Sequence, residues 1–270
     1  MQAGLYIVGT PIGNLSDMSS RAVQTLRDAD LILCEDTRVS GKLCANFDIK
    51  TKLSAFHEHN EGQSIPDIID KIDGGMAVAL ISDSGMPLVS DPGFKLVREA
   101  RARKILISVV PGASALVSAL VLSGFPTDRF SFLGFLPAKD MARDKELSIA
   151  ARIPITIIYY ESPNRIMDTI AALAKIMPER KIAVARELTK IYEEVVVGYP
   201  ADFPEFECRG EMVLLIEPAP RAALSDEAIK EIVEDVAKRN IKTKDAAEEI
   251  SARSGISKKD AYDLALGAKK

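Results

Sequence analysis

Cysteine and histidine are scarce and tryptophan is absent: 270 residues hold three cysteines and two histidines. Cys34, Cys44 and Cys208 are odd in number, widely spaced and form no C-x-x-C pair, which argues against a disulfide framework and against a zinc site. His57 and His59 offer two ligands at most, with Glu58 facing away if the segment is a strand, so no metal is expected. No window approaches the roughly 18–20 uncharged apolar residues of a membrane span, so no membrane role is expected. The N-terminus lacks a basic region followed by an apolar stretch; it runs straight into a strand-like segment, and the expected address is cytoplasmic. Excess basic charge is missing too. Lys and Arg number 35 against 39 Asp and Glu, a net charge of −4, which excludes a protein that coats nucleic acid by bulk charge but leaves room for a local basic surface.

What is there is the composition of a globular protein, 47% hydrophobic and 27% charged, long enough for two ordinary domains. Leu5–Thr10, Leu31–Cys34, Met76–Ile81 and Ile105–Val110 read as buried strands, because they are short, apolar and followed by Gly, Pro or Asp. Ser19–Asp28, Ser64–Ile72 and Pro92–Arg103 carry apolar residues at helical spacing, and Ala113–Ser123 is a small-residue helix. Strand and helix in alternation predict a mostly parallel sheet. Beyond Gly124 the pattern shifts. Strands are predicted over Phe130–Leu136, Ile155–Glu161, Lys181–Leu188, Glu193–Gly198 and Glu211–Glu217, with helices over Ala138–Arg152 and Asn164–Ile176. The last three strands follow one another with no helix between, which predicts antiparallel pairing. Past Pro218 an Ala-, Lys- and Glu-rich tail predicts helices over Asp226–Arg239, Thr243–Ser254 and Ser257–Gly267, with Ser225, Thr243 and Ser257 as N-caps. The fold class is therefore α/β, with an N-terminal domain over 1–120, a second over 121–220 and a helical extension over 221–270. The last two helices have helix-turn-helix proportions.

Ligands of open α/β sheets bind beyond the carboxyl ends of strands, and each such end here carries an unusual loop. The first, Gly9–Asn14, includes Pro11 and Gly13 but is neither G-x-G-x-x-G nor a P-loop. The second is Glu35-Asp36-Thr37-Arg38. The third, Ser82–Gly93, is stiff and dense in backbone amides, suited to a polar small molecule through Asp83, Ser84, Gly85, Met86 and Pro87. Within it Asp91 reads as the cap of a helix opening at Pro92. The fourth, Pro111-Gly112-Ala113-Ser114, lets a helix N-terminus approach a ligand closely.

Eight ordered segments, Leu5–Leu15, Cys34–Arg38, His57–Glu61, Ser82–Gly93, Pro111–Ala115, Phe132–Pro137, Tyr160–Arg165 and Arg186–Lys190, together resemble the 16S ribosomal RNA cytidine 2′-O-methyltransferases of the tetrapyrrole-methylase superfamily. The resemblance runs over residues 4–217 almost continuously. Departures are Ser84-Gly85-Met86 where Ala-Gly-Thr is usual, Ala113 where Pro is usual, and Asn164 where His is frequent. It implies two α/β domains enclosing a cleft, S-adenosyl-L-methionine folded in that cleft, a homodimer, and 16S rRNA or the small ribosomal subunit as partner. The cofactor would lie on Pro11, Gly13, Asp83–Pro87 and Pro111–Ser114. A ribose hydroxyl is a poor nucleophile and benefits from a proton acceptor; Asp36, Glu35 and His59 are the candidates in that order, with Glu187 beside them. Arg38, Asn60, Arg165, Arg186 and Lys190 are expected to contact RNA, although Arg186 or Lys190 would equally pair with Glu187 or Glu193. Lys238, Arg239, Lys242, Lys244, Lys258 and Lys259 are expected to add a basic face in the tail. Two other readings stay open: a methyltransferase of a small tetrapyrrole-like molecule, and a non-catalytic nucleotide- or RNA-binding module.

Overall fold

Strands β1 (Gly4–Val8), β2 (Leu31–Cys34) and β4 (Ala77–Leu80) are buried at every position, as continuous apolar runs are when a parallel sheet is covered on both faces. The computed structural model describes residues 1–219, 226–239 and 241–268. With the short edge strand β3 (Leu53–Ala55) and β5 (Ile107–Val110), these strands form a five-stranded parallel sheet of order β3-β2-β4-β1-β5. Its crossovers are helices α1 (Ser20–Asp28), α2 (Thr37–Asn46), α3 (Glu61–Asp73) and α4 (Phe94–Ala102). Ser19 caps α1 by accepting from the Ala22 amide, and Ala22 and Leu26 turn its apolar face inward.

The second sheet holds β6 (Phe130–Phe135), β7 (Thr156–Glu161), β8 (Ile182–Arg186), β9 (Glu194–Gly198) and β10 (Met212–Ile216), in the order β6-β7-β10-β8-β9. β6 pairs with β7 in parallel, and every other pair is antiparallel. Helices α6 (Asp140–Ala150) and α7 (Ile166–Ile176) belong to this half; Leu147, Ile170 and Leu173 pack with Ile157, Tyr159 and Leu214 in one core.

Helix α5 (Ala115–Ser123) follows β5 in sequence, yet it packs on the second sheet. Leu116, Ala119 and Leu120 share a core with Ile158, Ala183, Ala185, Val213 and Leu215, and Ile12 from the loop after β1 joins them. The expected division at residue 120 thus falls inside α5, and residues 1–218 form one compact unit carrying both sheets.

Several elements differ from the sequence reading. Helix α2 and strand β3 were not predicted. His57–Asn60 is a turn rather than a strand, and α3 opens at Glu61, three residues before the expected start. Helix α4 opens at Phe94 rather than Pro92, because Gly93 (φ 125°) breaks the chain's path just ahead of it. The buried Glu61 carboxylate fixes that start, accepting from the Gly93 and Lys95 amides at 3.1 and 3.2 Å.

The second unit, described by itself, holds α8 (Asp226–Ala237), α9 (Thr243–Ser254) and α10 (Lys258–Gly267) around Val236, Ala247, Ile250 and Ala261. Ser257 caps α10. Lys242, not Thr243, is the cap residue of α9, and the expected cap Ser225 lies outside the described residues. No helix among the described residues is long and apolar enough to cross a membrane.

Leu120, buried in the core that joins the two sheets, tests this architecture. Leu120→Ala should destabilise the protein by about 2–5 kcal/mol in denaturant titration, the range for emptying a well-packed aliphatic site.

Candidate active site

The loops after β1, β4 and β5 meet at the carboxyl end of the first sheet and are tied by their backbones. The Thr10 amide donates to the Gly85 carbonyl at 2.9 Å, and the Gly9 amide donates to the Val110 carbonyl at 2.9 Å. Gly9 and Gly112 touch so closely that a Cβ on Gly112 would sit 2.8 Å from the Gly9 backbone. Between Ser82 and Gly93 the chain coils through left-handed conformations at Gly85, Leu88 and Ser90. Two of these are not glycine, and such strain persists where the surroundings over-determine the backbone, most often at functional sites.

These loops form one wall of a cavity of about 360 Å³, a size that suits a nucleoside-sized ligand. Ser82–Met86, Val89, Ser90, Asp91 and Ser114 line it from the first sheet's side. Phe135, Tyr160, Glu187, Leu188, Lys190 and Glu211–Val213 line it from the second. Phe135 and Tyr160 meet edge to face at 5.5 Å, giving the cavity an aromatic corner.

Its charge is lopsided. Glu35, Asp83, Asp91, Glu161, Glu187 and Glu211 face a single lysine, Lys190. Glu161 is neutralised by Arg165 at 3.1 Å and Glu187 by Lys190 at 2.8 Å. The remaining four have no ion-pair partner lining the cavity. Burial, reinforced by the charges of Glu35, Asp83 and Glu211, pushes the Asp91 carboxyl up to about 6. A cavity with surplus carboxylates, hydroxyls from several serines and an aromatic face fits a cationic nucleoside derivative. Among the described residues no cluster of three or more His, Cys, Asp or Glu could hold a metal ion.

The family model for tetrapyrrole (corrin/porphyrin) methylases matches residues 4–202. The chain belongs to that family. Ribosomal RNA small subunit methyltransferase I of Rickettsia prowazekii is 42% identical over 248 residues, covering 90% of this chain and 89% of that one. The protein of the same name from Mesorhizobium japonicum is 40% identical over 100% of this chain and 93% of its own. Among solved structures, the methyltransferase CobJ aligns with a TM-score of 0.61 at 20% identity, over 82% of this chain and 95% of that one. Uroporphyrin-III C-methyltransferase of Thermus thermophilus, complexed with S-adenosyl homocysteine, aligns at 0.55 and 18% identity over 79% and 97%. These two likenesses carry the fold alone; the ribosomal RNA relatives place this methylase among the methyltransferases.

Of the residues expected to hold a cofactor, Asp83, Ser84, Gly85, Met86 and Ser114 line the methylase cavity. Pro11 and Gly13 line a neighbouring one. Pro87, Pro111, Gly112 and Ala113 line neither: the Gly112 amide donates to the Met86 sulfur at 3.3 Å, and Ala113 packs in the core beneath.

Among the expected proton acceptors, Glu35 lines the cavity. Asp36 does not. It caps α2, accepting from the Arg38 amide at 2.8 Å and pairing with the Arg38 guanidinium at 2.6 Å, and these bonds lower its carboxyl to about 2. So weak a base is poorly matched to taking a proton at neutral pH. His59 is exposed on the turn before α3, away from both cavities.

Three residues expected to reach RNA have partners within the protein. Arg186, buried, pairs with Glu194 at 2.7 Å and Glu207 at 3.5 Å. Arg165 holds Glu161 and donates to the Leu136 carbonyl at 2.7 Å. Asn60 stitches its own turn, accepting from the His57 amide and donating to the Ala55 carbonyl. Arg38 is exposed but paired with Asp36, and Lys190 reaches both cavities while pairing with Glu187.

Asp91 was expected to cap α4; instead it lines the cavity, because the helix starts three residues past it, at Phe94. Its raised folded-state value means that the folded protein binds the proton more tightly than the unfolded chain between about 4 and 6. Burial of Asp91 therefore costs stability above about pH 6, and the cost vanishes as pH falls towards 4. Asp91→Asn should melt above the wild type at pH 8 and level with it near pH 4, a difference that thermal unfolding across this range would read.

Proposed function

We propose that this methylase transfers a methyl group from S-adenosyl-L-methionine to the ribose 2′-hydroxyl of a cytidine in 16S ribosomal RNA, acting in the cytoplasm on the RNA or the small subunit. The observation that carries the reading is the acidic cavity between the two sheets of a chain whose near relatives are small-subunit ribosomal RNA methyltransferases. S-adenosylmethionine supplies, when bound, a methyl group on a positively charged sulfur. The chain's own residues supply alignment and charge. Asp91 and Glu211 offer carboxylates to the cation, the 82–90 loop offers hydroxyls and backbone groups, and Phe135 and Tyr160 offer aromatic surface to the base. Neutral product would lose the attraction of those carboxylates, which favours its release.

RNA binding falls to exposed cations. In the tail, Arg239 pairs with Asp235 and Glu249, and Lys258 with Glu248. Lys238, Lys242, Lys244 and Lys259 make no ion pair among the described residues and are the cations available to phosphate. Replacing these four by alanine should weaken binding to unmodified small ribosomal subunits. The salt dependence of binding should flatten by up to about one slope unit for each phosphate left without its lysine. Affinity for S-adenosylmethionine, measured by calorimetry, should not move. The direct test of the function is mapping of 2′-O-methylation in 16S RNA from cells lacking the gene; a full complement of ribose methyls would refute it.

A homodimer is supported by the outward face of α5, where Val117, Val121 and Leu122 are exposed although the opposite face is core. Burying such a face in a stable dimer involves roughly 2,000 Å² or more. Sedimentation at micromolar concentration should give a dimer, and Val121→Asp should shift it towards monomer.

A further inference from the structure

A second cavity of about 440 Å³ adjoins the first, between the loop after β1, the outer side of α2 and the chain at 190 and 210. Ile12, Asp83, Ser84, Lys190 and Glu211 line both, so they form the partition between the two. The rest of the second cavity differs in chemistry from the first. Leu15 and Val39, both 44% exposed, and Leu43 give it apolar surface open to solvent, and Asn46, whose Nδ2 donates to the Lys42 carbonyl at 2.9 Å, gives an amide. Lys42 gives a cation that makes no ion pair among the described residues. An apolar surface, an amide and a cation are what a splayed-out nucleotide needs: a place for the base, hydrogen bonds for its edge, and a partner for its phosphate.

Displacement at a methyl group is in line, so donor and acceptor must approach from opposite sides of one point. We propose, resting on the function argued above, that the second cavity receives the acceptor nucleotide and that Asp83, in the partition, takes the proton of its 2′-hydroxyl. The O2′–methyl bond forms as the methyl–sulfur bond breaks, the electron pair stays on sulfur, and the hydroxyl proton passes to the Asp83 carboxylate.

Asp83 is held for this. The Asp36 amide and the Ser40 hydroxyl donate to Oδ1 at 3.3 and 3.4 Å, and Oδ2 accepts no hydrogen bond among the described residues. Burial pushes its carboxyl up from the ordinary value, and the Asp36 charge adds to the rise. That improves its match to a proton at neutral pH. The other charged or titratable groups around it are Cys34 of β2, Glu35 after β2, Lys42 of α2, Asp91 on its own loop, Glu211 before β10 and Lys190 after β8. Lys190 is positive and tied to Glu187, Glu211 is exposed and Glu35 lines the first cavity alone. Ser40 is a positioning residue.

The test uses the full-length protein, labelled S-adenosylmethionine and small ribosomal subunits from cells lacking the enzyme. Asp83→Asn should lower kcat by about 100-fold or more, at saturating S-adenosylmethionine, so that any loss of cofactor affinity from removing one carboxylate of the shared wall is read separately in KM. Val39→Trp, which fills the second cavity from its open side, should raise KM for the subunits at least about tenfold and leave S-adenosylmethionine affinity alone. Ser40→Ala removes a donor to the charged carboxylate, so the acid limb of the kcat profile should move to higher pH. Asp83→Asn with kcat within about threefold of the wild type, or Val39→Trp with unchanged KM, would overturn the proposal while the function stands. If Asp83→Asn does not fold, an unmoved acid limb in Ser40→Ala overturns it instead. A wild-type protein that methylates no ribose in the subunits would take the functional reading down with it.

Discussion

Helix α5 leaves the first sheet and buries Leu116, Ala119 and Leu120 in the core of the second, and Ile12 follows it there from the loop after β1. Each large aliphatic side chain, fully withdrawn from water, contributes roughly 1.5–3 kcal/mol, and the seam they make fixes one sheet against the other. Everything polar in the methylase depends on that. The 82–90 loop comes from one sheet and Tyr160, Lys190 and Glu211 from the other, so the cavity exists only while the seam holds. Ile12 belongs both to the seam and to the partition between the cavities, which couples core packing directly to the point where the two ligands would meet.

The second consequence is strain placed where it is useful. Leu88 and Ser90 on one wall, and Glu187 and Thr189 on the other, adopt left-handed backbone conformations that cost side chains of this kind of order 1–3 kcal/mol each. The Thr189 hydroxyl is buried without a hydrogen-bond partner among the described residues. A loop that pairs Glu187 with Lys190 across such a turn keeps the ammonium at the partition instead of letting it sweep through solvent. The Glu61 carboxylate does the matching work on the first sheet's side, pinning the amides at 93 and 95 and hence the end of the 82–93 loop.

Much of this was legible in the sequence, and the limits have physical causes. Strands such as Leu31–Cys34 and Ala77–Leu80 announce themselves because burial on both faces demands unbroken apolar runs. The cavity loops announce themselves because Gly and Pro punctuate the strand ends. Helix α2 was missed: it carries Gly41 and buries only Ser40 and Cys44, so its apolar face is too weak to show as a period. Arg186 read as an RNA contact or a partner of Glu187 or Glu193, because its actual partner, Glu194, lies across a hairpin register that no local pattern displays. Asp91 read as a cap because Pro92 looks like a helix opening; the turn at Gly93 that moves the start is a backbone fact. Glu211 was not singled out, and Tyr160 only as the start of a family segment, since what makes them site residues is the second sheet's position against the first.

Charge shows best how a whole-chain number misleads. A net −4 reads against binding RNA, yet the cavity lining alone holds six carboxylates against one lysine, −5, which leaves +1 on everything else. The acidity is concentrated in a partly enclosed space, where low dielectric and mutual repulsion make it act on whatever cation enters, as the rise of Asp91 to about 6 reflects. Across more than a Debye length of salt water, about 8–10 Å, the same charges are largely screened from a polyanion outside. The segregation lets one chain attract a small cation inwards while exposed lysines at 42 and in the tail remain available to phosphate.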